Sequence, residues 1–511
     1  MHSTVTKIIG AKEEAEITQN SLDPLQNNPE KEVVDQFGIY TRGKTGVLLR
    51  IPPEILLEIL VLCCSSGSDL IPGLEAQLPP LILSHVSRYW RKLAFSTPRL
   101  WSQFALDIGY CRPELLSCYL EHSETAPLDI QCSDLAGVEP PRFCARKREV
   151  IYALLSHSKR WRSASFDLES HREWKRAIKA LSEPPLFPLL EALDLWGGAF
   201  FSKSPEQDIL HRLFPKTRSI RSLSMGFAAR KSSLCIPLPL QPRRLTYSYE
   251  LRDVDSLGIL EQFPDTEEFT IDYCSLTWEF AVNATIKRHF HHKALTTLFI
   301  RFCRGEEDEH YSEYEPCKYS LYLLFRTLTL PALTHLHILH PQVCYCDSSH
   351  GREAPLVYPW DSEGFKELIT RSQCSLDRLL LIDVPLKSSD VHDILVTCPS
   401  LTKFIYHEFG GKDATLHLLE LLAGGGPDPL LPALRHLEIA VGGTSTPNNV
   451  ATEEETAIIM KVDEMSTARC GMHLSPLELS LDLRQPLLSS SREVLKGISR
   501  EAISSISVSL G

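Results

Sequence analysis

The chain has 511 residues, is 43% hydrophobic and 23% charged, and carries a formal net charge of −12. This is an ordinary globular composition, and the acidic balance excludes a generally basic face for nucleic acid. The most apolar run, ILLEILVLCC at 55–64, is too short to cross a bilayer and contains Glu58, so neither a membrane nor a nucleic acid is an expected partner.

The N-terminal stretch MHSTVTKIIGAKEEAEITQNSLDP carries acids and lacks the apolar segment of a secretion signal. The 15 cysteines are scattered and include no C-x-x-C pair. Both features fit reduced thiols in the cytoplasm or nucleus. Residues 1–46 are polar and rich in Asn, Glu and Pro, and read as a mostly disordered tail. Within the tail, Gly38, Gly43, Lys44 and Thr45 spell the phosphate-loop pattern G-x-x-x-x-G-K-[ST]. A phosphate loop needs an apolar strand before it and a helix after it. Here the preceding NNPEKEVVDQF is charged, and Pro52 and Pro53 interrupt a helix started at Lys44. An NTPase built on Lys44 is therefore a remote alternative.

The next segment, 47–106, reads as a small module of three short helices. The first starts near Pro52 or Pro53, where a missing N–H costs nothing, with Glu54 at the positive helix end. Ile55, Leu56, Ile59, Leu60 and Leu62 supply its apolar stripe. Leu83, Val86, Trp90, Leu93 and Ala94 continue at helical spacing, with a break expected between Ser84 and Arg88. Ser96-Thr97-Pro98 stops the last helix, and Trp101 follows as a large apolar anchor. About fifty residues is near the size limit for an independent core, so such a module gains by covering apolar surface with a partner.

IPPEILLEIL…LSHVSRYWRKLAFSTPRLW resembles the F-box, especially the F-box-like domains of mushroom-forming fungi. Ile51 stands for the usual leucine and Ser87 lies near the usual cysteine. An insert, SSGSDLIPGLEAQ, separates the first two helices. The resemblance covers roughly a tenth of the chain. It implies docking on the Skp-type adaptor of a cullin–RING ubiquitin ligase. Ile51, Pro52, Pro53, Ile55, Leu56, Val86 and Trp90 fall on motif positions that pack the module or meet the adaptor.

From residue 126 onward one phrase, L-x-x-L-x-L, keeps returning. It ends at Leu195 and recurs at 220–225, 266–271, 295–300, 333–338, 376–381, 401–406, 434–439 and 476–481. Weaker versions sit at 128–130, 166–168 and 245–247, and several follow a Pro-rich approach such as LPALTHL. This is the leucine-rich-repeat signature, one short strand per unit. Cys274 and Cys303 stand where such units carry Asn or Cys after the strand. The expected fold is α/β: an F-box-like module (47–106), a connecting segment with the first degenerate repeats (107–185) and an irregular leucine-rich-repeat-like solenoid (186–511). A mixed α/β domain with several Leu-rich strands is the competing reading. Insertions are expected at 303–318, 343–360 and 441–455.

In the phrase, leucines point into the stack and the residues between them point out. The middle positions are Asp194, Ser224, Thr270, Phe299, His337, Leu380, Ile405 and Glu438. Their outward neighbours include Trp196, Asp272, Arg301, His335, Arg378, Lys403, His407 and His436. This strip is the candidate target-binding face, and a broad strip suits a protein better than a small molecule. No G-x-S-x-G, H-E-x-x-H or kinase set occurs. His340, Cys344, Cys346 and His350 are the closest zinc-type cluster, but their spacing matches no standard site. The expected protein is not an enzyme and holds no cofactor or metal. It is expected to be a substrate-recognition adaptor of a cullin–RING ligase, holding an unidentified protein target. The alternative is a repeat-based interaction scaffold outside any ligase.

Overall fold

The computed structural model describes residues 51–65, 79–133, 141–167, 171–181, 183, 185–196, 214, 220–226, 240–248, 257–272, 289–302, 320–339, 360–408, 413–424, 430–441, 452–472, 474, 476–483 and 503–510. The 1–46 tail with its phosphate-loop stretch, residues 66–77 of the insert, Cys274, Cys303 and the His340–Cys344–Cys346–His350 cluster lie outside them. So do 303–318, 343–359 and 442–451 of the expected insertions. The chain divides into two compact units, 1–59 and 60–511. The division falls inside the first helix and within the expected 47–106 module.

That helix, α1, spans Pro53–Ser65 and has Glu54 in its first turn. In the first unit, Leu56 N–H donates to the Pro52 carbonyl at 3.0 Å, which fixes the first turn where proline leaves no donor unpaired.

The second unit opens with α2 (Pro79–Val86) and α3 (Arg88–Phe95). The expected break between them falls at Ser87, whose extended backbone (φ −159°) turns the chain. Its Oγ accepts from Trp90 N–H at 3.1 Å, an N-cap that starts α3. A single 3₁₀ turn, Pro98–Trp101, follows. The Trp101 indole N–H donates to the Ala94 carbonyl at 2.7 Å, and its fully buried ring meets Phe95 and, edge-on, Tyr119.

The remainder is mixed α/β. Fourteen strands form one sheet: β1 (Gln103–Asp107), β2 (Leu128–Ser133), β3 (Trp161–Asp167), β4 (Ala192–Trp196), β5 (Ser222–Gly226), β6 (Arg244–Ser248), β7 (Glu268–Asp272), β9 (Thr297–Arg301), β11 (His335–Leu339), β12 (Arg378–Val384), β13 (Lys403–Glu408), β14 (His436–Val441), β15 (Leu477–Leu483) and β16 (Ile503–Leu510). They lie in strict chain order, and every pairing is parallel. Two short strands, β8 (Phe290–His291) and β10 (Leu328–Thr329), pair separately. The sheet starts at residue 103, so segment 107–185 supplies strands to the same sheet as 186–511.

Parallel neighbours need crossovers, and helices supply many of them. These are α4 (Pro113–His122), α5 (Pro141–Ser156), α6 (His171–Ala180), α7 (Ile259–Gln262), α8 (Ser320–Thr327), α9 (Ser362–Ser372), α10 (Ser388–Thr397), α11 (Asp413–Ala423) and α12 (Thr452–Gly471). Helices adjacent in the chain pack on one another from α8 to α12, except that crossovers between them return through the sheet.

The recurring phrase explains the register. Leu193, Leu223, Leu245, Phe269, Leu298, Leu336, Leu379, Phe404, Leu437 and Leu479 occupy the same position on successive strands, each paired with the next. The second row, from Leu195 through Met225 to Leu481, lies two residues on. Both rows are buried and belong to one apolar core shared with the helices. A one-residue slip would swap this face for the polar one, so burial fixes the register.

Entry to the strands is equally regular. Phe187-Pro, Phe263-Pro, Leu330-Pro, Cys398-Pro and Leu431-Pro each open a turn closed by an i+3 N–H, at 3.1–3.4 Å. Proline presets the backbone of such turns. Immediately before several strands, paired N–H groups share one carbonyl at the entry of the preceding strand: Thr334 and His335 donate to Thr296, Asp377 and Arg378 to Thr334, and Thr402 and Lys403 to Asp377. Three arginines satisfy carbonyls at the far ends of coils. Arg160 donates to Leu120, Ser123 and Ala126, Arg371 to Phe325 and Leu328, and Arg469 to Leu434. Buried carbonyls without donors would cost free energy, so these arginines join segments distant in the chain.

Leu379 is buried in the core row and its neighbour Leu380 is half-buried on the opposite face. Leu379→Ala is expected to cost about 2–5 kcal/mol of unfolding free energy and Leu380→Ala under about 1 kcal/mol, as measured by denaturant titration. Equal losses would contradict the assignment of the two faces.

Candidate functional site

Exposed apolar residues stand out on the short helices of each unit taken by itself, and a separate surface lies on the sheet. In α1, Leu56, Leu60 and Val61 are buried, whereas Ile55 (55% exposed), Ile59 (42%) and Leu62 (67%) are open. The single apolar stripe expected from the sequence is therefore two faces, one sealed and one exposed at i, i+4, i+7 spacing. In the second unit, Ile82, Val86 and Tyr89 are exposed, while Ser84, Ala94 and Trp101 are buried. Of the motif residues, Ile55, Val86 and Pro52 are exposed, Ile51 and Trp90 are half-buried, and Leu56 is buried. Leu56 thus packs the helix rather than meeting a partner. Ile59, Leu62, Ile82 and Tyr89 were absent from the expected set, although their helical spacing from Ile55 and Val86 signals them.

The second surface is the sheet face opposite the core. Every one of its expected residues falls on it, in three rows of register. The first row runs His335, Arg378, Lys403, His436, Glu478 across β11 to β15. The middle row runs Asp194, Ser224, Thr246, Thr270, Phe299, His337, Leu380, Ile405, Glu438. The third contains Trp196 beside Gly226, Ser248 beside Asp272, and Arg301, Leu339, Ile382, His407 and Ala440 in succession. Residues of these rows are mostly half-buried or exposed. Gly226 leaves the space the Trp196 ring occupies, since a Cβ there would lie 2.3 Å from it.

Charges on this face pair across neighbouring strands. Arg162 pairs with Asp129, Arg244 with Glu268 at 2.9 Å, Arg301 with Asp272 at 3.3 Å and His407 with Glu438 at 3.3 Å. His436 Nδ1 lies 3.2 Å from Glu478. Arg378 faces the adjacent Asp377 carboxylate at 3.5 Å, while the Lys403 ammonium forms no ion pair among the described residues. The Phe299 and His337 rings lie 4.3 Å apart between centroids. Burial, and then the positive charges of His335, Arg378 and Lys403, hold the His337 imidazole down to about 4. Burial and Arg378 lower His335 as well, against weaker opposing pulls from Asp377, Thr296 and Glu268. The His337 ring is therefore neutral at pH 7.

Among the described residues no group of three or more His, Cys, Asp and Glu could hold a metal, and no helix is long and apolar enough to cross a membrane. No protein-family model and no curated protein matches the chain.

The His337 shift has a sign that stability measurements read directly. Between about pH 6.5 and pH 4 the unfolded chain carries a proton on this imidazole that the folded chain excludes. Stability therefore rises with pH through that window and, with solvent screening allowed for, falls by roughly 1–2 kcal/mol on acidification across it. His337→Phe keeps the ring stack and is expected to flatten the difference between pH 6.5 and pH 4 relative to the parent chain. An unchanged slope would show that His337 titrates normally.

Proposed function

We propose that this chain is a substrate-recognition subunit of a cullin–RING ubiquitin ligase. The F-box-like helices dock on a Skp-type adaptor, and the polar face of the sheet, read as the inner face of a leucine-rich-repeat-like solenoid, holds a protein target. The chain performs no covalent chemistry. Holding a target lysine near a charged ubiquitin carrier raises its effective concentration.

The observation that carries the reading is the state of the motif residues. Ile55 and Val86, each named by the F-box resemblance, are open to solvent at 55% and 57%. Trp101 and Leu100, which close the same motif, are sealed. Apolar side chains of this size gain about 1.5–3 kcal/mol each when covered, which favours a partner that lies against them. The sheet supports the second half of the reading. Fourteen parallel strands in chain order bury one face and leave the other as a continuous surface, the arrangement expected of stacked one-strand units.

The full chain is expected to bind a purified Skp-type adaptor in a calorimetric or surface-binding assay. Ile55→Asp and Val86→Asp, made singly, are expected each to weaken binding at least about tenfold with the melting temperature unchanged. Lack of binding by the parent chain would replace this reading with a repeat-based scaffold that joins no ligase.

A further inference from the structure

The polar face is not uniform. Across β9, β11, β12 and β13 the middle row becomes Phe299, His337, Leu380 and Ile405, four consecutive strands without a charged side chain. Neighbours in this row are directly in register, so the four side chains form a continuous track about 14 Å long at the usual strand spacing. His337 extends the track rather than breaking it, because its ring is neutral at pH 7 and stacks on Phe299. Leu339 and Ile382, in the third row of β11 and β12, widen it.

A cationic edge runs beside the track. Arg378 and Lys403 occupy the first row of adjacent strands. The twelve positions of the three rows on these four strands hold Arg301, Arg378 and Lys403 but no acid. Arg301 is paired with Asp272 on β7, and the side chains of Arg378 and Asp377 are 56% and 39% exposed. Lys403 has no carboxylate within pairing distance among the described residues. This patch belongs to a chain whose net charge is −12, and acids return directly on either flank, Glu268 and Asp272 on β7 and Glu438 on β14. The cations are confined to the edge of the apolar track.

We propose that this four-strand patch is the target-contact point of the sheet, and that it takes an acidic segment of a protein partner carrying an apolar or aromatic side chain. The proposal rests on the reading of this face as the target-binding surface and narrows it to a place and a ligand chemistry. An apolar side chain of the partner covers Leu380 and Ile405, while acidic neighbours reach Arg378 and Lys403. A polyanion such as RNA would satisfy the cations and offer bases to the Phe299 and His337 rings, but it has no aliphatic side chain to cover Leu380 and Ile405, whose desolvation supplies the non-electrostatic part of binding. An apolar peptide without acids would leave the cations facing uncompensated apolar surface.

The test uses the full chain and three fluorescein-labelled peptides: Ser-Asp-Glu-Leu-Asp-Glu-Ser, the same peptide with serine in place of leucine, and the same peptide with lysine for every acid. Fluorescence anisotropy is expected to show saturable binding of the first. The leucine-free peptide is expected to bind at least tenfold more weakly, and the lysine peptide not at all. Lys403→Glu combined with Arg378→Glu should abolish binding, and Leu380→Asp should do so separately. Arg162→Ala, five strands away on β3, should leave it unchanged. Circular dichroism of each variant reports whether the sheet is retained. Absence of binding by the parent chain, equal binding of all three peptides, or binding indifferent to both Lys403→Glu/Arg378→Glu and Leu380→Asp would overturn the proposal. So would tight binding of a polyuridine oligonucleotide that the double charge reversal abolishes and Leu380→Asp leaves intact. No adaptor is present, so a failure here alongside successful adaptor binding overturns the patch and leaves the ligase reading standing.

Discussion

The structure depends on two rows of apolar side chains held in register across parallel strands. Each strand contributes one residue to each row, and each row is buried beneath the helices. A single strand with the segment that follows it has too little apolar surface to form a core. Its apolar side chains are covered by the neighbouring strands and helices on either side. The shared carbonyls before several strands act in the same direction. Thr296, Thr334, Asp377 and Thr402 each receive N–H groups from the entry of the following strand, so these polar groups are satisfied between neighbouring strands. Stability is therefore a property of neighbours, and it constrains one face of the sheet at almost every position.

The same constraint frees the other face. Side chains alternate along a strand, so the residues between buried leucines point away from the core whatever their chemistry. They are free to carry Asp194 on one strand, Phe299 on another and Lys403 on a third. Their charges are mostly matched across strands, as Arg244–Glu268 and His407–Glu438 illustrate, and exposed pairs of this type add little to stability. Composition on this face can therefore vary at small cost to the fold. At β9–β13 the middle row changes from polar and charged residues to an apolar track, with Lys403 free of an ion pair among the described residues.

Much of this was legible in the sequence because the phrase L-x-x-L-x-L has strand periodicity and a fixed first position. Every full instance falls on a strand, and the polar face was readable from the same alternation. What was missed follows from reading leucine too literally. β16 carries the pattern as Ile503, Ile506 and Val508, β-branched residues, with Ile506 and Val508 in register with Leu479 and Leu481. β1 carries it as Trp101, Phe104 and Leu106, with Trp101 buried in the place a leucine holds elsewhere. Trp101 was read as the close of the helical module, and it also opens the first strand phrase. The arginine caps were out of reach for another reason. Arg371 and the Phe325 carbonyl are 46 residues apart, and nothing local distinguishes that arginine from a solvated one.

The helical end poses the limit of pattern reading most clearly. Ile55 and Leu56 are adjacent, apolar and both able to belong to a core-facing stripe, yet one is open and the other sealed. Hydrophobicity alone cannot separate them, since α1 is apolar over more of its circumference than one packing partner can cover. The excess is the informative quantity. A helix that needed only to cap a core would carry polar residues at 55, 59 and 62, at negligible cost to its packing and with a gain in solubility. On the proposed reading, isoleucine and leucine at those positions lower the free energy once a partner lies against them. The sheet carries a second apolar strip, set among charges rather than along a helix.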